Sequence, residues 1–171
     1  MKFFTSLKGA VTVTLLVALV MIPVGTHRSL VRERKPADEA LVAMTVTMDK
    51  TATLAANVQA VLERNLPQSV SELQGAVNHY TSASAATRLD SWENLTLSLT
   101  DALADLGNAN LSEKDAGYVR DFSVEVASQM AVVSHCAYDS LAAAYNSDVL
   151  GGFPANVLGK LTGITPLPTL T

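Results

Sequence analysis

Apolar or small side chains at Leu41, Met44, Met48, Thr51, Ala55, Val58 and Leu62 recur at alternating steps of three and four residues. A strand cannot use that spacing, because its side chains alternate every second residue, whereas a helix gathers such positions onto one face. This part of the chain is therefore committed to a long amphipathic helix. Pro36 followed by Asp38 and Glu39 has the form of a helix opening, with proline at the first position and acids in the first turn. Hydrophobic residues make up 49% of the sequence but aromatics only 5%. The apolar content is thus mostly Ala, Leu and Val, which suits closely packed helices better than a sandwich or barrel.

The same period returns at Val70, Leu73, Val77, Tyr80, Ser84 and Thr87, then one position out of phase at Trp92, Leu95, Leu99, Ala102 and Leu106. The slip between Arg88 and Trp92 leaves one irregular helix or two, with Ser69–Glu72 and Asp90–Glu93 as candidate capping boxes. After the turn-like Gly107–Asn110, Ser112 and Asp115 open a last long helix whose apolar face is Tyr118, Phe122, Val126, Met130, Val133, Ala137, Leu141 and Ala144. The expected fold is all-α: an antiparallel four-helix bundle of long helices over residues 36–152, then a C-terminal turn, short helix and tail over 153–171.

Gly9–Gly25 carries no charge, and Phe3, Phe4 and Leu7 extend it toward the length of a bilayer span. Lys2 and Lys8 would also serve a signal peptide, but no Ala-x-Ala cleavage site follows. Residues 1–26 are read as an uncleaved, single-pass transmembrane anchor. Residues 27–35 form a basic juxtamembrane collar, in which Arg28, Arg32, Arg34 and Lys35 face only Glu33, while from Pro36 onward 15 acids stand against 6 bases. That division, inside a net charge of −4, makes the lipid bilayer the expected partner of the collar and excludes nucleic acid as the partner of the body. The excess of Lys and Arg after the anchor puts the bundle on the cytoplasmic side of the cell membrane.

Chemistry-bearing patterns are missing. Cys136 is the only cysteine, so no intramolecular disulfide can form, and it reads as a small apolar residue on a helix face. His27, His79 and His135 lie far apart in sequence, without metal-ligand spacing. There is no phosphate loop, dinucleotide fingerprint or nucleophile elbow. A non-enzymatic protein follows, with no catalytic, cofactor or metal site and no small-molecule substrate.

The stretch Tyr138-Asp139, Tyr145-Asn146, Phe153-Pro154-Ala155-Asn156, Gly163 resembles the C-terminal signature of the LemA family. The front end is similar too: Ser29-Leu30-Val31, Asp38-Glu39-Ala40 and Leu54, Asn57, Val58 and Val61 fall where that family has its post-anchor motifs. Departures are Leu41 for the family tryptophan, Ala56 for its proline, His135-Cys136 for an Arg-Arg pair, the added residue at Gly151-Gly152, and Ile164 and Leu170 for closing aromatics. The resemblance implies a divergent bacterial member: an anchored four-helix bundle with no enzymatic activity, in a family some of whose members are linked to membrane remodelling. The motif residues Asp38, Glu39, Asn57, Tyr138, Tyr145, Asn146, Phe153, Pro154 and Asn156 are expected to be structural, with Phe153 folding back on the bundle and the Asn156 side chain bonding exposed backbone. The function expected is that of a membrane-held scaffold or interaction protein with protein partners. The alternative is a single-pass sensor with an extracytoplasmic, ligand-binding helical bundle.

Overall fold

The computed structural model describes residues 7–85 and 87–169 and, inside the first helix, only the backbone of residues 7–10, 13, 16 and 18. All regular structure among them is helical: α1 Leu7–Asn65, α2 Val70–Ser82, α3 Arg88–Asn108, α4 Glu113–Ser134, α5 Tyr138–Ala144 and α6 Ala155–Leu161. A 3-10 turn at Pro67–Ser69 precedes α2, and a π-helical turn at Tyr145–Val149 follows α5. The chain divides into two compact units. The first takes in the chain up to Asp38 with Ser140–Leu167, and the second Glu39–Asp139 with the residues from Pro168 onward.

In the second unit the stripe does what its spacing requires. Met44, Met48, Thr51, Ala55, Val58 and Leu62 of α1 are buried, as are Trp92, Leu95, Leu99, Ala102 and Leu106 of α3. Each leucine so removed from water contributes about 1.5–3 kcal/mol. Leu66 N–H donates to Leu62 O at 2.6 Å and closes the last turn of α1; Leu66 itself leaves helical geometry, and after the 3-10 turn α2 returns beside α1, where the Tyr80 hydroxyl meets Asp49. Helix α4 also runs antiparallel to α1. Arg64 pairs with Asp115 at 2.8 Å near one end, and Thr51 meets Gln129 further along. Helix α3 packs on both α2 and α4.

Several local expectations give way. Helix α1 does not begin at Pro36; both Pro23 and Pro36 lie inside it. An interior proline forfeits one backbone bond and costs about 3 kcal/mol. Across Pro36 the turn is held by the Arg34–Asp38 pair at 3.0 Å and by burial of Leu30 and Ala37. Ser69 makes no side-chain cap, because the 3-10 turn leaves it in helical backbone, away from the extended geometry a cap needs. Residues 70–106 form two helices, and the break falls at residues 83–87, before Arg88, so Asp90 and Glu93 lie inside α3. Ser112, in contrast, is extended and accepts the Asp115 N–H at 3.1 Å. The last helix stops at Ser134 and its buried face is Val119, Val126, Gln129 and Val133, with Tyr118 and Met130 exposed. Tyr118 stacks on Phe122 at 6.1 Å, under Lys114 at 5.7 Å, while Gln129 can turn inward because both ends of its amide find partners. Cys136 sits in the break between α4 and α5 rather than on a helix face, half-buried, its thiol 3.8 Å from Ala40 O.

Among the described residues no helix is long and apolar enough to cross a membrane. The anchor expected at residues 1–26 falls partly outside the described residues. Its described large apolar side chains are exposed, among them Leu15, Val17, Leu19, Val20, Met21, Ile22 and Val24, with Leu19 at 72%.

Two predictions follow from the polar contacts of the second unit. Thr51 Oγ1 donates to Gln129 Oε1 at 2.8 Å, and Gln129 Nε2 donates to Glu125 Oε1 at 2.8 Å. Thr51→Val leaves the buried Oε1 without its donor and should lower unfolding free energy by about 1–3 kcal/mol. Adding Gln129→Leu should recover part of that loss in urea titrations.

The Arg64 guanidinium, then the Asn65 amide, hold the Asp115 carboxyl below its usual range. A depressed folded-state pKa stabilises above the unfolded value and ceases to as pH falls through the folded one. Denaturation midpoints of the parent should therefore drop on going from pH 7 to below about 4, and Asp115→Asn should show a smaller drop over the same window.

Candidate functional site

The expected collar lies on one helix, so its residues take different directions at about 3.6 per turn. Arg28, Arg32 and Lys35 are exposed and, with His27, Val31 and Asp38, line an open groove. Arg32 pairs with its neighbour Glu33 at 3.3 Å, both exposed, a contact worth roughly 0–1 kcal/mol. Arg34 is half-buried and turned to Asp38. The collar thus presents Arg28, Arg32 and Lys35 outward and keeps Arg34 for an ion pair inside the first unit.

Tyr145, at the start of the π-helical turn, completes that inner cluster. Its ring is buried, and burial raises its hydroxyl pKa, with Arg34 acting to lower it and Asp38 to raise it. Its hydroxyl has no hydrogen-bond partner among the described residues. Asn146 next to it brackets the chain end: Nδ2 donates to Leu167 O at 2.8 Å and Oδ1 accepts the Leu167 N–H at 2.8 Å. Tyr138 is buried in the second unit and donates to Pro168 O at 2.6 Å. Asn146 and Tyr138 thereby bond backbone groups of Leu167 and Pro168.

Phe153 is 86% exposed and does not fold back. The turn before it is fixed by Gly151, where any Cβ would run into the Ser147 carbonyl oxygen, and the inward face of the following helix is given to Gly159. Pro154 precedes α6. Asn156 is exposed, and its backbone N–H, bonded to Gly152 O at 2.9 Å, closes the turn. Glu39 and Asn57 are exposed on α1.

A second cluster was not foreseen from the sequence. In the second unit the Tyr80 hydroxyl donates to Asp49 Oδ1 at 2.6 Å. The Arg88 guanidinium lies 5.8 Å from the Tyr80 ring centre. Burial first, then the bond to Asp49 and its charge, push the Tyr80 pKa far up, against the opposing effect of Arg88, so the phenol stays protonated and acts as a donor. Arg88 Nε is buried without a partner among the described residues. Arg88 also borders a cavity of about 180 Å³ lined by Leu41, Thr45, Met48, Ala85 and Leu89. The available signal was Tyr80 itself: a phenol in an otherwise aliphatic stripe needs a polar partner when buried. Asp49 and Arg88 lie off the stripe and carry no periodic mark. Among the described residues no group of three His, Cys, Asp or Glu side chains could hold a metal ion.

No protein-family model matches the chain, and neither does any curated protein or solved structure compared with it.

The two tyrosines of the motif region should part company under mutation. Tyr138→Phe removes the donor to Pro168 O and should cost about 1 kcal/mol. Tyr145→Phe removes a buried hydroxyl that has no partner, and should be neutral or stabilising by up to roughly 1 kcal/mol. Thermal unfolding of the two variants beside the parent measures the difference.

Proposed function

We propose that this chain is a membrane-anchored, non-enzymatic helical scaffold of LemA type, with its bundle on the cytoplasmic side. The observation that carries the reading is the change of pattern along α1. Leu19, Val20, Met21 and Ile22 are four consecutive exposed apolar residues, and at about 3.6 residues per turn they point round the whole helix. A helix apolar on every side is stable inside protein or lipid and not in water. The described residues alone fall short of a span, but Phe3 and Phe4 precede them in sequence and extend the apolar length toward one. Immediately after it, Arg28, Arg32 and Lys35 are exposed at headgroup level, each adding about 1 kcal/mol near an anionic surface. The bundle offers helix faces to protein partners.

The full chain should stay with membranes through an alkaline carbonate wash, and a chain beginning at Thr26 should not. Changing Arg28, Arg32 and Lys35 to Gln should weaken binding of the full chain to anionic vesicles by roughly 3 kcal/mol in total without releasing the anchor. A full chain that is monodisperse in water without detergent would sink the proposal.

A second reading, a sensor with a ligand-binding bundle, draws on the cavity beside Arg88. It requires residues 39–139 to lie outside the cytoplasm, which protease accessibility of inverted and right-side-out vesicles distinguishes.

A further inference from the structure

Helix α6 belongs to the first unit and has two unlike faces. On one, a Cβ at Gly159 would lie 3.2 Å from Leu150 Cδ2 and 3.8 Å from Leu30 Cδ1, so the glycine lets α6 sit close against both side chains. On the other, Val157 is 49% and Leu161 76% exposed. These two are one turn apart, and each lies two residues from Gly159, about 200° away around the helix. Phe153, at 86% the most exposed large hydrophobic side chain among the described residues, stands in the turn just ahead of them. Lys160 is exposed between them. Bulky apolar groups at this exposure, within nine residues of chain, are not the scattered single residues of an ordinary surface.

The level at which α6 sits identifies what covers this face. Its contact on α1 is Leu30, which lies five residues past Gly25, the end of the uncharged run. Five residues of helix span about 7.5 Å, and the polar layer on each side of a bilayer core is roughly 5–8 Å deep. Leu30, and with it Gly159, is therefore at the depth of the headgroups if the run is in lipid. The exposed bases of this stretch are Arg28, Arg32 and Lys35, joined by Lys160 on α6. Apolar side chains interleaved with lysine and arginine are the composition of a segment that lies in an anionic interface.

We propose that the Phe153–Leu161 segment is a second membrane contact, in which Phe153, Val157 and Leu161 enter the interface of an anionic bilayer beside the point where α1 emerges. The inference rests on the anchor reading above. It adds to it that the chain end, and not only the N-terminal helix, is held at the lipid surface, which ties Asn146 and Leu167 to a membrane-facing element.

The test uses the full chain reconstituted in phosphatidylcholine vesicles containing phosphatidylglycerol, with acyl-chain-brominated lipid as a contact quencher. Tryptophan is introduced by Phe153→Trp or, as the anchor control, Ile22→Trp, each on a Trp92→Phe background whose helix content is checked by circular dichroism. Where Trp92→Phe weakens the fold, difference spectra against the unchanged Trp92 give the same information. Blue-shifted, lipid-quenched emission is expected at both positions, with quenching at residue 153, but not at residue 22, falling when phosphatidylglycerol is left out. Water-like, unquenched emission at residue 153 with quenching at residue 22 overturns this inference and leaves the anchor standing. Absence of quenching at both overturns the two together. A blue shift at residue 153 that lipid does not quench and that grows with protein density means a second copy covers the face, and also overturns it, as does quenching indifferent to lipid charge.

Discussion

Apolar side chains must leave water, and how they are distributed around a helix decides where they can go. Helix α1 carries both solutions in one element. In its second half the apolar residues occupy a stripe from Met44 to Leu62, which other helices of the same unit cover. Near its start they surround the axis, and the described side chains there are exposed. A stripe can be satisfied by neighbours on one side, whereas a ring needs a surrounding medium. The charges divide in the same way: a group of bases follows the ring, and acids predominate in the part of the chain that carries the stripe.

A core of small residues and leucines is permissive about register, because leucine faces can slide by a turn with little change in buried area. The second unit limits that freedom with a few polar contacts that have one solution each. The bond from Thr51 to Gln129 fixes α4 against α1, and the bond from Tyr80 to Asp49 fixes α2 against α1. The Arg64–Asp115 pair, with Asn65 also donating to Asp115 at 3.3 Å, marks the end where α1 stops and α4 begins. Displacing any of these helices by one turn would leave buried polar atoms without partners, at a cost of the same order as the gain from a buried leucine. Polar specification thus does for this aliphatic core what interlocking aromatics do in others.

The all-α class and the core positions of α1 and α3 were legible in the sequence because periodicity reports burial directly. Features set by local competition were not. Pro36 looks like a helix start, and only the pairing of Arg34 with Asp38 and the burial of Ala37 make continuation the better state. Ser69 and Glu72 have capping-box spacing, but Pro67 begins a 3-10 turn that removes the required backbone geometry. On α4, hydrophobicity ranked Tyr118 and Met130 above Gln129; the ranking fails because a glutamine with both ends bonded can be buried, and a tyrosine stacked on Phe122 can stay at the surface. The motif around Tyr145 brings Asn146 and Tyr138 to backbone groups of Leu167 and Pro168. It misled for Phe153, since a phenylalanine carries no sign of whether it meets protein or something else.

Phe153 is left exposed by a turn that fixes its position. The turn that presents it is built, not loose: Gly151 is required by the Ser147 carbonyl, the Asn156 N–H closes the turn on Gly152, and Gly159 anchors α6 between Leu150 and Leu30. Leaving a ring of that size in water forgoes about 1.5–3 kcal/mol of burial, while the same segment spends a glycine on close packing at its opposite face. The segment is thus held firmly with its apolar side outward. The nearest element of its own unit with the same property is the ring of apolar side chains on α1, which ends at Ile22, eight residues before Leu30. On the proposed anchoring of α1, one physical cause, the lipid surface where the helix emerges, would account for both.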